Sequence, residues 1–173
     1  VLGKPLAAER QKVRVESALH EIDRILAKHE GELMALSDAQ YKLVNESILA
    51  ILHTTAQEKM DYLRHVVRNS LAMTALHSQE AIVLSRVVRD ISADEARFVI
   101  DNFGYSRVQV ASGEAEHEMK VLVVRPGTPE ALIVTGLVSL GVLETAEPAW
   151  DESGLLRFSS VTAKLIALLR DAP

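Results

Sequence analysis

The chain has no cysteine among its 173 residues. Disulfide frameworks, thiolate nucleophiles and cysteine-ligated zinc or iron-sulfur sites are therefore excluded. It also has no excess of positive charge, because its 19 basic and 24 acidic side chains give a net charge of -5. Such a balance gives no general attraction to nucleic acid or to anionic lipid. The composition otherwise matches an ordinary globular protein.

Long apolar runs are also missing. The most apolar stretch, residues 131–143, is interrupted by threonine, serine and glycine, whereas a membrane-spanning helix needs about 20 consecutive apolar residues. We therefore expect a cytoplasmic protein. Because the chain starts at Val1 rather than at methionine, we expect an upstream segment in the parent protein, and membrane association only through that segment.

The sequence lacks the common catalytic and nucleotide-binding motifs. Gly-x-Gly-x-x-Gly, the P-loop, Gly-x-Ser-x-Gly and His-Glu-x-x-His are all absent. His53, His65 and His77 are evenly spaced, but twelve residues turn a helix by about 120°, so they would scatter around its surface. We predict no catalytic residue, no metal site and no cofactor. A hydrolase with a composite site stays a third alternative, which a cleft with perturbed titratable groups would reveal.

The first part of the chain has a helical apolar pattern. Between residues 6 and 36 the apolar positions alternate in steps of four and three, with His29 at the one vacant position, which predicts a long helix with a heptad seam. The seam consists of Val15, Leu19, Ile22, Leu26 and Leu33. Such a seam suits either a coiled-coil partner or packing on neighbouring helices of the same chain. We predict a homo-oligomer that associates through this seam, with a kink or an end of the helix at Gly31.

Two further helices are predicted before residue 77. Ser37 and Gln40 have capping-box spacing and predict a helix start. A third helix should follow Thr54 and Thr55, which form either a second capping box with Glu58 or a passing β-branched pair. Residues 1–77 are thus predicted to form a helical hairpin or bundle, and a shift in composition places the domain boundary between residues 77 and 78.

The pattern in residues 78–173 is mixed. A short helix over 79–91 and a helix that begins with a Ser92 and Glu95 capping box come first. Apolar and polar residues then alternate over 107–111, and an apolar run rich in β-branched residues follows at 119–124. Together these two segments predict a β-hairpin. Its acidic tip would contain Glu114, Glu116, His117 and Glu118.

The last third predicts a helix, a β-ribbon and a closing helix. Thr128 and Pro129 are typical of a helix start, and Gly141 is typical of its end. Strands are predicted over 142–146 and 155–159, before a helix capped by Ser160. The fold class is therefore α+β and mostly α-helical, with a winged-helix-like C-terminal domain that carries an inserted β-hairpin.

The winged-helix-like domain lacks the chemistry that reads DNA. The helix over 129–140 contains no lysine, arginine, asparagine or glutamine, although these residue types contact base edges. The wing over 142–159 has four acidic residues and only Arg157 as a base, which disfavours phosphate binding. Contact with an unidentified protein partner is the better interpretation. Trp150 either packs under the wing or anchors a partner, and packing is favoured.

A resemblance adds one functional hypothesis. Around Lys59, Tyr62 and Asn69 the chain resembles a loose group of uncharacterised bacterial proteins with a Lys-x-x-Tyr-Leu pattern and a nearby asparagine. The order of elements after residue 84 is similar to that of the abortive-infection alpha family, a bacterial domain associated with phage resistance. The resemblance implies a role in phage defence, marks these three residues as an interaction or structural motif, and provides no catalytic residue.

The sequence therefore predicts a non-enzymatic protein-interaction and oligomerisation protein. The alternative is a winged-helix transcription-regulator-like protein that binds nucleic acid.

Overall fold

The computed structural model describes residues 3–73, 76–112, 120–146 and 154–171, and their side chains from Leu6 onward. The protein is mostly helical with a small mixed sheet, so the α+β class is confirmed. It divides into two compact units. Unit 1 comprises Val1–Arg89 and Ala167–Pro173, and unit 2 comprises Asp90–Ile166. The division near residue 89 thus lies beyond the composition shift at residues 77 and 78.

Helices make up the described part of unit 1. They are α1 (Gly3–Lys28), α2 (Glu30–Leu33), α3 (Asp38–His53), α4 (Gln57–Ala72) and α5 (Ser78–Asp90). The predicted long helix is interrupted at His29, just before Gly31. The capping box at α3 is confirmed, because Gln40 N–H donates to Ser37 Oγ at 3.3 Å and Ser37 N–H donates to Gln40 Oε1 at 3.0 Å.

The second possible capping box is not formed. Helix α4 follows Ala56 and has no side-chain cap, while Thr54 Oγ1 accepts from Ala56 N–H at 3.4 Å. The alternative of a passing β-branched pair is therefore the one that the structure has.

The core of unit 1 lies between α1, α3 and α4. Leu43 and Ile51 of α3 and Leu63 and Val66 of α4 are fully buried there, because these positions recur on one face of each helix. The part of the predicted seam that lies in α1, from Val15 to Leu26, belongs to the helix that packs on these same neighbours, whereas Leu33 lies in α2. Ile22 is only 3% exposed, and the other four seam residues, Val15, Leu19, Leu26 and Leu33, are partly buried.

Unit 2 combines helices with short strands. The elements are α6 (Ala93–Asn102), β1 (Arg107–Val110), β2 (Val121–Val124), α7 (Pro129–Ser139), β3 (Leu143–Thr145), β4 (Leu155–Phe158) and α8 (Thr162–Leu169). The capping box at α6 is confirmed, and Thr128 caps α7 by accepting from Ala131 N–H at 3.3 Å. Gly141 follows α7 with a φ of +71°, a conformation that favours glycine.

The strands form a sheet of order β2-β1-β4-β3. Strands β3 and β4 pair antiparallel, as predicted for the ribbon. The predicted hairpin is wrong, because β1 and β2 pair parallel, with Arg107 opposite Val121. Alternation with a period of two marks a strand but not its direction. The proposed acidic tip (Glu114, Glu116, His117 and Glu118) lies outside the described residues, as does Trp150.

The chain returns from unit 2 to unit 1 within α8, since the division falls between Ile166 and Ala167. The end of α8 therefore packs as part of the helical unit.

Candidate interaction surfaces

The three motif residues of α4 make hydrogen bonds that hold the helices of unit 1 in place. Lys59 Nζ donates to the carbonyl oxygen of Arg89 at 2.7 Å. Tyr62 Oη donates to Glu58 Oε1 at 3.3 Å, one helical turn away. Lys59 thus binds the end of α5, and the Tyr62 contact lies within α4. These hydrogen bonds and those of Asn69 go to three different elements, α5, α4 and α8.

Asn69 caps the end of α8. Its Nδ2 donates to the carbonyl oxygens of Ala167, Leu168 and Arg170 at 2.8–3.0 Å. The last carbonyl groups of a helix have no partner within the helix, so an amide donor from a neighbouring element satisfies them. Its contribution is therefore to hold the last turn of α8 on α4.

Two neighbours of Asn69 strengthen the same contact. His65 Nδ1 lies 2.9 Å from the carbonyl oxygen of Leu169, and Arg68 donates to Asp171 Oδ1 at 2.6 Å. Sequence reasoning missed this cap because the partners lie about a hundred residues further along the chain. The signal was an asparagine within the apolar pattern of α4, where a buried amide needs hydrogen-bond partners.

A charged network joins α1 to α4. Arg64 bonds to both Glu21 and Asp61, and its side chain is largely buried. Beside it, a shallow cleft of about 150 Å³ is lined by Glu21, Arg24, Ile25, Lys28 and Arg68. Glu21 and Asp61 are paired with Arg64 in this network, and Arg68 is paired separately with Asp171. The main effect of the network is to join the two helices.

Helix α3 exposes an apolar stripe on the side opposite its core face. Tyr41, Leu49 and Leu52 are 64%, 43% and 46% exposed. At about 100° per residue, these positions and the exposed Asn45 fall within roughly 80° of the helix circumference. We call this set, Tyr41, Asn45, Leu49 and Leu52, the α3 stripe. An exposed strip of this kind, apolar except for Asn45, is typical of a contact surface.

Helix α7 exposes a second uncharged surface. Leu132 is 74% exposed and Val138 is 41% exposed, and Thr135 and Ser139 are exposed between them. We call these four residues the α7 face. It contains no basic or amide side chain, as the sequence indicates, so it has none of the donors that recognise bases.

An open cleft of about 340 Å³ lies beside the edge strand β2. Its walls include Phe98, Asn102, Leu122, Arg125 and Thr128. Asn102 Nδ2 donates to the carbonyl oxygen of Phe98 at 2.9 Å, and Thr128 Oγ1 donates to that of Arg125 at 2.9 Å. Both polar groups therefore serve the backbone at helix ends. The cleft is mostly apolar, and its lining also includes Glu130.

The described residues lack two further features, a cluster of metal ligands and a membrane-spanning helix. Within them, no group of three or more histidine, aspartate and glutamate side chains is placed to hold a metal ion. No described helix has the length and apolar character needed to cross a membrane.

Comparison with known protein families, with curated proteins and with solved structures finds no match for this chain. The resemblance to the abortive-infection alpha family therefore stays a prediction.

Proposed function

We propose that this chain is a non-enzymatic protein-interaction and oligomerisation protein whose unit 2 contacts another protein through the α7 face. One observation carries the proposal: Leu132 is 74% exposed on a helix surface that has no basic residue. Large apolar side chains in an exposed set mark protein contacts, whereas DNA binding depends on lysine and arginine at the phosphates.

The topology of unit 2 supports a winged-helix-like arrangement in this proposal. Strand β1 precedes α7, the β3–β4 ribbon follows it, and β4 lies between β1 and β3. In winged-helix proteins the helix before the ribbon is the one that enters DNA. Here that helix is α7, and its apolar surface fits a protein partner. The paired Glu144 and Arg157 on the ribbon, 2.9 Å apart, leave little free positive charge there.

The winged-helix nucleic-acid binder is the alternative, and one experiment separates the two. A photo-cross-linking amino acid replaces Leu132 in the bacterial cell, and a second variant carries it at exposed Ala163. We expect a discrete adduct from position 132 alone that protease removes and nuclease leaves intact. A nuclease-sensitive adduct, or a salt-dependent shift of DNA mobility by the purified protein, would support the alternative and contradict the proposal.

The role in phage defence is a separate proposal, supported only by the sequence resemblance. Its test is plating efficiency on bacteria that express the chain, with Leu132→Asp and the conservative Leu132→Met at matched abundance. Protection that Leu132→Asp removes would connect defence with the α7 face. Absence of protection against a broad phage panel would exclude the defence role for this chain.

A further inference from the structure

We infer that unit 1 binds a second copy of this chain through the α3 stripe, with the two α3 helices antiparallel across a two-fold axis at Asn45. This inference names the surface of the proposed self-association. It rests on the proposed function only for the statement that copies of the chain associate. It replaces the seam as the contact between copies, because α1 packs on α3 and α4 of its own chain and Ile22 at the centre of the seam is buried there.

The first argument is the distribution of charge along the stripe. Lys42 and Glu46 lie on one flank of the stripe, and among the described residues neither takes part in an ion pair. Tyr41 forms the opposite edge of the stripe, and Ile48 lies beside it on the other flank, which is apolar. Thus one flank provides charges of both signs, and the opposite flank provides none.

The second argument is the geometry of a two-fold axis. When two helices face each other antiparallel about such an axis, each flank meets the same flank of the other copy. With the axis at Asn45, Lys42 lies about 3 Å along the helix axis from Glu46 of the second copy, and Tyr41 lies about 1.5 Å along it from Ile48 of the second copy, both within reach of these side chains. Both contacts occur twice, so opposite charges meet and apolar side chains meet.

A parallel pair does not give this match. In a parallel two-fold pair each flank meets the opposite flank, so the charged flank of one α3 would face the apolar flank of the other. Lys42 and Glu46 would then lose water without gaining an ionic partner, which is unfavourable. The charge pattern therefore favours the antiparallel arrangement and selects a second copy of the same helix as the occupant.

Asn45 fits the axis itself. An exposed asparagine at the centre of an otherwise apolar stripe can pair its amide with that of the same residue in the second copy, because the side chain has both donors and acceptors. A single polar residue in a helical contact also fixes the register of the two helices.

The absence of cysteine makes a direct test possible. Facing helices with axes about 8–10 Å apart bring residues on the axis close enough for a disulfide. The experiment oxidises Asn45→Cys under mild conditions and compares it with Ser17→Cys, an exposed position of α1. Light scattering measures the mass of the unmodified chain and of Leu49→Asp in parallel.

We expect the unmodified chain to have twice its 19.0 kDa mass. Asn45→Cys should form a covalent dimer at least about tenfold faster than Ser17→Cys, and Leu49→Asp should weaken association at least about tenfold. If the chain is a dimer but Asn45→Cys does not cross-link faster than Ser17→Cys, the α3 stripe is not the contact surface, although the chain does self-associate. The same conclusion follows if Leu49→Asp is still a dimer. A monomeric mass at all concentrations would overturn both.

Discussion

Helices α3 and α7 each have a buried face and an exposed apolar face, but their charges differ. The α3 stripe is flanked by Lys42 and Glu46, whereas α7 has only Glu130, in its first turn. Complementary charges specify register and partner, while apolar area alone gives attraction with little specificity. The difference explains why α3 is proposed to bind its own copy and α7 a protein of another kind.

The largest expected effect is on the free energy of unfolding, and it distinguishes the buried face from the exposed face of each helix. Leu43 of α3 and Leu137 of α7 are fully buried. We expect Leu43→Ala and Leu137→Ala each to lower the free energy of unfolding by about 2–5 kcal/mol in urea titrations, because truncation leaves a cavity. In dilute protein, Leu49→Ala and Leu132→Ala should stay within about 0.5 kcal/mol of the unmodified chain. Equal losses at inner and outer positions would show that these outer faces are not free surfaces.

The next prediction distinguishes residues of unit 1 that stabilise the fold from residues that join two copies of the chain. Asn69→Ala removes the donor to three carbonyl groups at the end of α8. We expect it to lower the free energy of unfolding by about 1–3 kcal/mol while the mass in light scattering is unchanged. Asn45→Ala is the matched control, and it should weaken association with little effect on folding. A reversal of these two results would contradict the roles assigned to the two asparagines.

Helix caps provide a smaller test of the two helices. Ser37 starts α3 with a reciprocal capping box, and Gln40 also donates to the carbonyl oxygens of Ser70 and Leu71 at 3.1 and 3.3 Å. Thr128 starts α7 with one side-chain bond to Ala131 N–H. We expect Ser37→Ala and Thr128→Ala each to cost about 1 kcal/mol in thermal or urea unfolding, with the larger cost at Ser37. A larger cost at Thr128 would contradict this order.

The smallest effect concerns the charges beside the α3 stripe. Lys42→Glu places like charges at both symmetric contacts, so self-association should weaken roughly threefold to tenfold at low salt. The double variant Lys42→Glu and Glu46→Lys should recover most of the affinity, and Glu130→Lys on α7 should leave it unchanged. Sedimentation equilibrium measures all three. A double variant as weak as the single one would show that these residues do not meet.

Local signals predicted most helices of the fold. The capping boxes at Ser37 and Ser92 mark where α3 and α6 begin because their hydrogen bonds lie within four residues. Gly141 marks the end of α7 for a similarly local reason. The direction of β2 was not predictable in this way, because alternation of side chains is the same in parallel and antiparallel strands.

The candidate surfaces were predicted less well than the helices. The absence of basic residues on α7 is evident from the sequence. Leu132 is exposed, as contact of this helix with a protein partner requires. The seam of α1 was visible, but a heptad pattern does not distinguish a partner chain from neighbours in the same chain. The α3 stripe becomes recognisable only when Leu43 and Ile51 are known to face the core, since α3 is apolar on both sides.

The most direct test of the account is the mass in solution of three proteins over a range of concentrations. We predict a dimer for the unmodified chain, a monomer for Leu49→Asp and a dimer for Leu132→Asp, because only the α3 stripe joins two copies. Loss of the dimer in Leu132→Asp with its retention in Leu49→Asp would contradict the account, because the α7 face would then be the surface that joins the copies.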